Sequence, residues 1–139
     1  MTQAAWRVLP AALLLHLGGV MAQVSQDLPV PAVGDPLRGQ AIVSSRQTGL
    51  CLLCHSAPVG DARFQGDLAP SLAGAGKRWS AAQLRQRVGN PRSLNPDSIM
   101  PAYASTDGLS RVGQAWAGQP LLTGPQIDDV IAYLLTLRD

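Results

Sequence analysis

The stretch TGLCLLCHSAP, Thr48 to Pro58, holds both cysteines of the 139-residue chain, Cys51 and Cys54, with His55 directly after the second. A C-x-x-C-H run admits three chemistries: a redox dithiol, a zinc site, or covalent attachment of a haem. A thioredoxin-like dithiol needs the motif at a helix N-terminus beside a βαβ pattern, and no strand-like alternation flanks this one. Structural zinc takes four Cys or His ligands, and the chain supplies three here, two of them adjacent, so an Asp would have to complete the set. A simple structural disulfide is the blandest reading and leaves His55 unexplained. Haem attachment uses all three residues. In a helical turn, positions i and i+3 share a face, so both sulfurs reach the two vinyl groups of one porphyrin, and the residue at i+4 turns its imidazole to the iron. The spacing predicts one covalent haem c on Cys51, Cys54 and His55.

The N-terminus agrees with that chemistry. Arg7 is followed by the apolar run VLPAALLLHLGGVMA, with Val20 and Ala22 at the −3 and −1 positions of a cleavage site. This is the layout of a secretory signal peptide, residues 1–22. The run of about 15 residues is shorter than the ~20 that span a bilayer, and Pro10 and Gly18-Gly19 interrupt it. The expectation is an exported, periplasmic protein with no membrane span after cleavage.

Past the leader, His55 is the sole histidine, Met100 the sole methionine and Lys77 the sole lysine. The chain carries 11 basic and 9 acidic residues, a balance with no grip on nucleic acid or anionic lipid. Residues 23–34 read as an extended arm and 35–139 as one domain. Asp35-Pro36 starts a helix expected to run to about Arg46. Residues 56–79, rich in Gly, Ala and Pro, read as a loop. Ser80 with Gln83 forms a capping box for a helix that Gly89 is placed to end. Pro91, Pro96 and Pro101 then exclude a helix. Thr123 with Gln126 caps the last helix. In it Asp128-Asp129 sit near the positive end of the dipole, and Ile127, Val130, Ile131, Leu134 and Leu135 form one apolar stripe. The fold class is all-α, with long loops between a first and a last helix.

The iron's second axial position follows by elimination. No second histidine remains, and Lys77 would have to lose a proton. Met100 is then the ligand opposite His55, as the alternative to ordinary core filling. Its place in a proline-stiffened loop suits a weakly binding thioether. His/Met iron leaves no open coordination position, so it moves electrons.

This order of elements resembles the class I cytochromes c. The resemblance implies that the carbonyl of Pro70 accepts the His55 imidazole N–H, and that Gly39 and Tyr133 mark a close crossing of first and last helices. The stretches FQGDLAPSLAGAGKRW, LNPDSIMPAY, GLSRVG and GQPLLTGPQIDDVIAYLLTL more specifically resemble the SoxX family, monohaem subunits of the thiosulfate-oxidising SoxAX cytochromes. That family pairs with a SoxA subunit, which implies a heterodimer acting as an L-cysteine S-thiosulfotransferase. It would couple thiosulfate to a cysteine of the SoxYZ carrier and pass electrons to a downstream cytochrome. This chain would be its electron-transfer part and not catalytic alone, since both thiols are consumed by haem. The family pattern has a polar residue where this chain has Leu50. Lys77, Arg78 and Trp79 fit either a solvated basic pair beside a packed Trp, or a contact to haem propionates or a partner. The competing function is a free periplasmic cytochrome shuttling electrons in a respiratory chain. Such shuttles steer by lysine rings, and one lysine weighs against it.

Overall fold

Residues 34–139 are described by a computed structural model of the chain. The expected leader, and the expected arm up to residue 33, lie outside the described residues. Four α-helices appear in chain order, α1 Pro36–Ser44, α2 Ala75–Arg78, α3 Ala81–Gly89 and α4 Gly124–Thr136, with single 3₁₀ turns at Cys51–Leu53, Ala62–Phe64, Pro91–Ser93 and Gln114–Trp116. There is no strand among the described residues.

The packing of α1 on α4 organises the domain. Asp35 caps α1, its Oδ1 accepting from the backbone N–H of Leu37 at 2.8 Å and Arg38 at 3.2 Å, and Pro36 occupies the first helical position, where its missing N–H leaves nothing unpaired. One turn on, Gly39 lies against the backbone of Asp129 and the Cβ of Tyr133, leaving no room for a side chain. The helices meet backbone to backbone at that point. Val43, one turn further along α1, is 1% exposed and joins Val130, Ile131 and Leu134 in the core.

Helix α4 is buried around more of its circumference than one apolar stripe. Ile127, Val130, Ile131 and Leu134 are buried as the spacing implies, but Asp129, Ala132 and Tyr133 are buried too. The expectation that Asp128-Asp129 serve the helix dipole is corrected here, because neither lies in the first turn of α4, where the dipole acts, and each meets an arginine instead. Asp129 takes a two-pronged contact from Arg38, with Nε and Nη2 each donating at 2.8 Å, and accepts the Asp35 backbone N–H at 2.7 Å. Asp128 pairs with Arg85 of α3. Hydrogen bonding from Arg38, reinforced by the Asp35 N–H, holds the Asp129 carboxyl below the usual carboxylate range against the opposing effect of burial.

Two boundaries, and the way a third helix ends, differ from the sequence-based reading. Helix α1 ends at Ser44 because Ser45 turns extended (φ −75°, ψ 123°) and its hydroxyl accepts from the N–H of Gln47 and Thr48, a local alternative to helical bonding. The loop over residues 56–79 contains α2. Gly76 lies against the carbonyl of Leu135 and donates its N–H to Leu137 at 2.9 Å, so a tertiary contact forms this turn without amphipathic periodicity. Helix α3 does finish at Gly89, but not through a left-handed glycine. Asn90 leaves the helix at φ −148°, ψ 82°, as a residue before proline is driven to do. Both capping boxes, Ser80/Gln83 and Thr123/Gln126, are present with reciprocal bonds.

Gly39→Ala is expected to lower the unfolding free energy by about 2 kcal/mol or more, the scale of overpacking a closed contact; urea unfolding of the haem-loaded protein measures it. The Arg38–Asp129 contact predicts a pH signature as well. The folded-state carboxyl titrates lower than the unfolded one, so the contact's stabilisation is complete above about pH 4 and is lost as pH falls through the depressed folded value. The stability gap between the parent and Asp129→Asn should therefore be flat near neutrality and narrow in acid, read from urea midpoints across pH.

Candidate haem cleft

The attachment turn is built by the backbone on either side of it. Leu50 donates its N–H to Ser45 at 2.9 Å and adopts a left-handed conformation, φ 59°, which redirects the chain into the 3₁₀ turn Cys51–Leu53. Asn and Gly tolerate that region better than a branched apolar residue. The N–H of Cys54 (3.2 Å) and of His55 (3.0 Å) both reach the Cys51 carbonyl, winding the two thiols and the imidazole into a single turn. Both cysteines are free and half-buried.

The chain then folds back on itself. Gly66, Ala69 and Leu72 donate to the carbonyls of Leu52, Cys54 and Ser56 at 2.8–2.9 Å. Gln65 knots the loop from within, accepting the Ala57 N–H at 2.7 Å and donating to the Val59 carbonyl at 2.5 Å. The return strand delivers Pro70, whose carbonyl oxygen stands 2.6 Å from His55 Nδ1. A carbonyl can only accept, so Nδ1 carries the proton and Nε2 is left with its lone pair free for a metal.

These residues open onto a cleft whose empty space, including the part open to solvent, is about 910 Å³. Cys51, Cys54, His55 and Met100 all line it. Its back wall is Val43 of α1 with Val130 and Leu134 of α4; Val88 of α3, Leu122 and Tyr103 close another side. Leu53 (44% exposed) and Ile99 (76% exposed) stand at the rim. Met100 reaches the cleft from the proline loop, its N–H donating to Ser98 Oγ at 3.3 Å.

A porphyrin fits this donor set and zinc does not. Among the described residues no group of three or more His, Cys, Asp or Glu gathers, so a fourth zinc ligand has no candidate. Burial pushes the Cys51 thiol up. The lining is almost wholly apolar, as a large planar macrocycle requires. The Arg87 guanidinium lies 3.6 Å over the Trp79 ring, and neither residue is among those lining the cleft.

The cleft brings together all five residues singled out from the sequence, four as lining and Pro70 as the imidazole's acceptor. Of the basic pair, Lys77 is exposed, while Arg78 donates to the carbonyls of Ala73 at 2.5 Å and Ser71 at 2.9 Å and so buttresses the loop. Sequence reasoning missed Tyr103, Leu122 and the left-handed turn at Leu50. The tyrosine's proximity to Met100 was the available signal for the first.

The cytochrome c family model matches residues 37–138. The crystal structure of SoxXA from P. pantotrophus contains a chain 38% identical to this one, with a TM-score of 0.69, over 76% of this chain and 83% of that one. The comparison with curated proteins gives no match. Cys54→Ser and His55→Ala are each expected to leave little or no holoprotein in the exported fraction, checked by haem staining of a denaturing gel beside the parent.

Proposed function

The chain belongs to the cytochrome c family, as a SoxX-type cytochrome with one covalently bound haem c, and on that premise we propose that it is the electron-transfer subunit of a periplasmic SoxAX-type complex. Cys51 and Cys54 would tether the group through thioethers, and His55 and Met100 would hold its iron. The observation that carries this reading is the joint placement of those four side chains in one apolar cleft, with the imidazole oriented by the Pro70 carbonyl. When bound, the haem supplies a one-electron couple, and thioether ligation raises its potential relative to bis-imidazole iron.

The residues of the chain define how that couple is used. Val43, Val88, Val130 and Leu134 keep water from the back of the cleft, which favours the less charged ferrous centre. The Pro70 carbonyl, holding Nδ1, leaves the Nε2 edge of His55 for the iron. With Met100 holding the iron as well, no site would be open for a small molecule to bind and react. Both thiols are consumed by attachment, and none is left to hold sulfane sulfur. Any cysteine that accepts thiosulfate therefore belongs to another subunit, and the SoxX resemblance points to the SoxYZ carrier. Thiosulfate sulfur bonds to that thiol, the thiol proton leaves, and two electrons pass in single steps through the SoxA partner's complex to a downstream cytochrome acceptor. The solved SoxXA complex supports the pairing. The sequence leader (residues 1–22) supports a periplasmic address, and among the described residues no helix is long and apolar enough to cross a membrane.

Met100→Ala should retain covalent haem while losing the weak far-red sulfur-to-iron charge-transfer band of the ferric protein. Survival of the band would assign the ligand elsewhere. Co-expression with a SoxA-type cytochrome should give co-elution on size exclusion, and reduction of this haem by thiosulfate and SoxYZ only when the partner is present. A protein that stays monomeric throughout is instead the free shuttle.

A further inference from the structure

We infer that Tyr103 is a positioning residue that keeps Met100 seated, acting as a strut between the methionine loop and the haem-attachment turn. The inference rests on Met100 being the axial ligand. Tyr103 lies three residues beyond Met100 with Pro101 between, and is 3% exposed in the wall of the cleft. Its hydroxyl donates to the carbonyl of Gly49 at 2.5 Å, a buried contact spanning 54 positions of sequence. Gly49 leads into the turn that carries Cys51. The bond thus ties the loop bearing one axial ligand to the turn bearing the other.

The tip of the loop has no comparable anchor. Ser98 bonds back to Asn95, Asp97 to the Asn95 side chain, and Met100 to the Ser98 hydroxyl. All of these contacts lie within three residues, and Ile99 beside Met100 is largely exposed. Long-range fastening begins only at Tyr103. Its N–H donates to Val88 at 3.2 Å, its carbonyl accepts from Leu122 at 3.1 Å, and its side chain supplies the Gly49 bond. The first two hold the stem to α3 and to the approach of α4. Only the hydroxyl reaches across to the attachment turn.

Haem attachment concentrates this role. In the free thiol form, Cys51 Sγ also points its proton at the Gly49 carbonyl, at 3.3 Å. A thioether sulfur has no proton to donate. Tyr103 is then the one side-chain donor left on that carbonyl among the described residues. A buried carbonyl deprived of its donor stays unsatisfied, and the loop gains freedom to swing Met100 off the iron.

The test uses ferric holoprotein and imidazole as an external ligand. Imidazole binds only when the methionine is off, so its apparent affinity reports the fraction of open loop. Tyr103→Phe removes the hydroxyl and keeps the ring. It should bind imidazole about tenfold more tightly than the parent, the scale of one buried hydrogen bond, with covalent haem retained. Ile131→Val, a core change outside the cleft, should lower the urea midpoint without moving imidazole affinity. Affinity within twofold of the parent in Tyr103→Phe overturns the strut. If the parent lacks the sulfur-to-iron band, or binds imidazole no more weakly than Met100→Ala, then the ligand assignment itself has failed. Should Tyr103→Phe yield no holoprotein, urea unfolding of the parent decides. A held loop loses the band together with helical circular dichroism, and a band lost at clearly lower urea refutes the strut.

Discussion

The contact on which the domain depends is the absence of a side chain at Gly39. There α1 lies directly on the backbone of α4 at Asp129 and Tyr133, and every wall of the cleft is referred to that crossing. Val43 and Val130, which back the cleft, come from the two helices at this junction. The crossing is also charge-matched. Arg38, one residue before Gly39, takes both carboxylate oxygens of Asp129, and the same carboxylate accepts the first N–H of the α1 cap. A partly buried pair of this kind contributes less through net attraction than through orientation. Here it fixes the angle at which a close-packed pair of helices can meet.

On that base the haem site is assembled from segments with little regular structure of their own. The attachment turn is one 3₁₀ turn, and the loop that returns Pro70 to His55 is held by backbone bonds and the Gln65 knot. The methionine loop is stiffened by prolines. None of these would hold a metal ligand in place alone. What they share is an apolar centre that only a large ligand can fill, so the cofactor acts as core as much as reagent. The low aromatic content, 4% of residues, is consistent with a core completed from outside the side chains.

Legibility from sequence followed the reach of the interactions. Asp35, Ser80 and Thr123 announce their helices because a cap acts over three residues, and all three cap as read. Cys51, Cys54 and His55 are legible because attachment chemistry fixes their spacing. Long-range partners were not legible. Asp129 looks like a dipole residue until Arg38, 91 positions away, is placed beside it. Helix α2 has no amphipathic pattern because its reason for existing is the α4 backbone. Leu50 takes a left-handed φ of 59°, and φ is not written in the letter.

The joining of α1 and α4 at Gly39 also sets an order of assembly. The anchoring pair of helices cannot form until α4 has been made, since its two halves are almost the whole described sequence apart. Such non-local closure is slow compared with local turns. A chain emerging residue by residue therefore displays CLLCH while α4 is still missing and the thiols are uncovered.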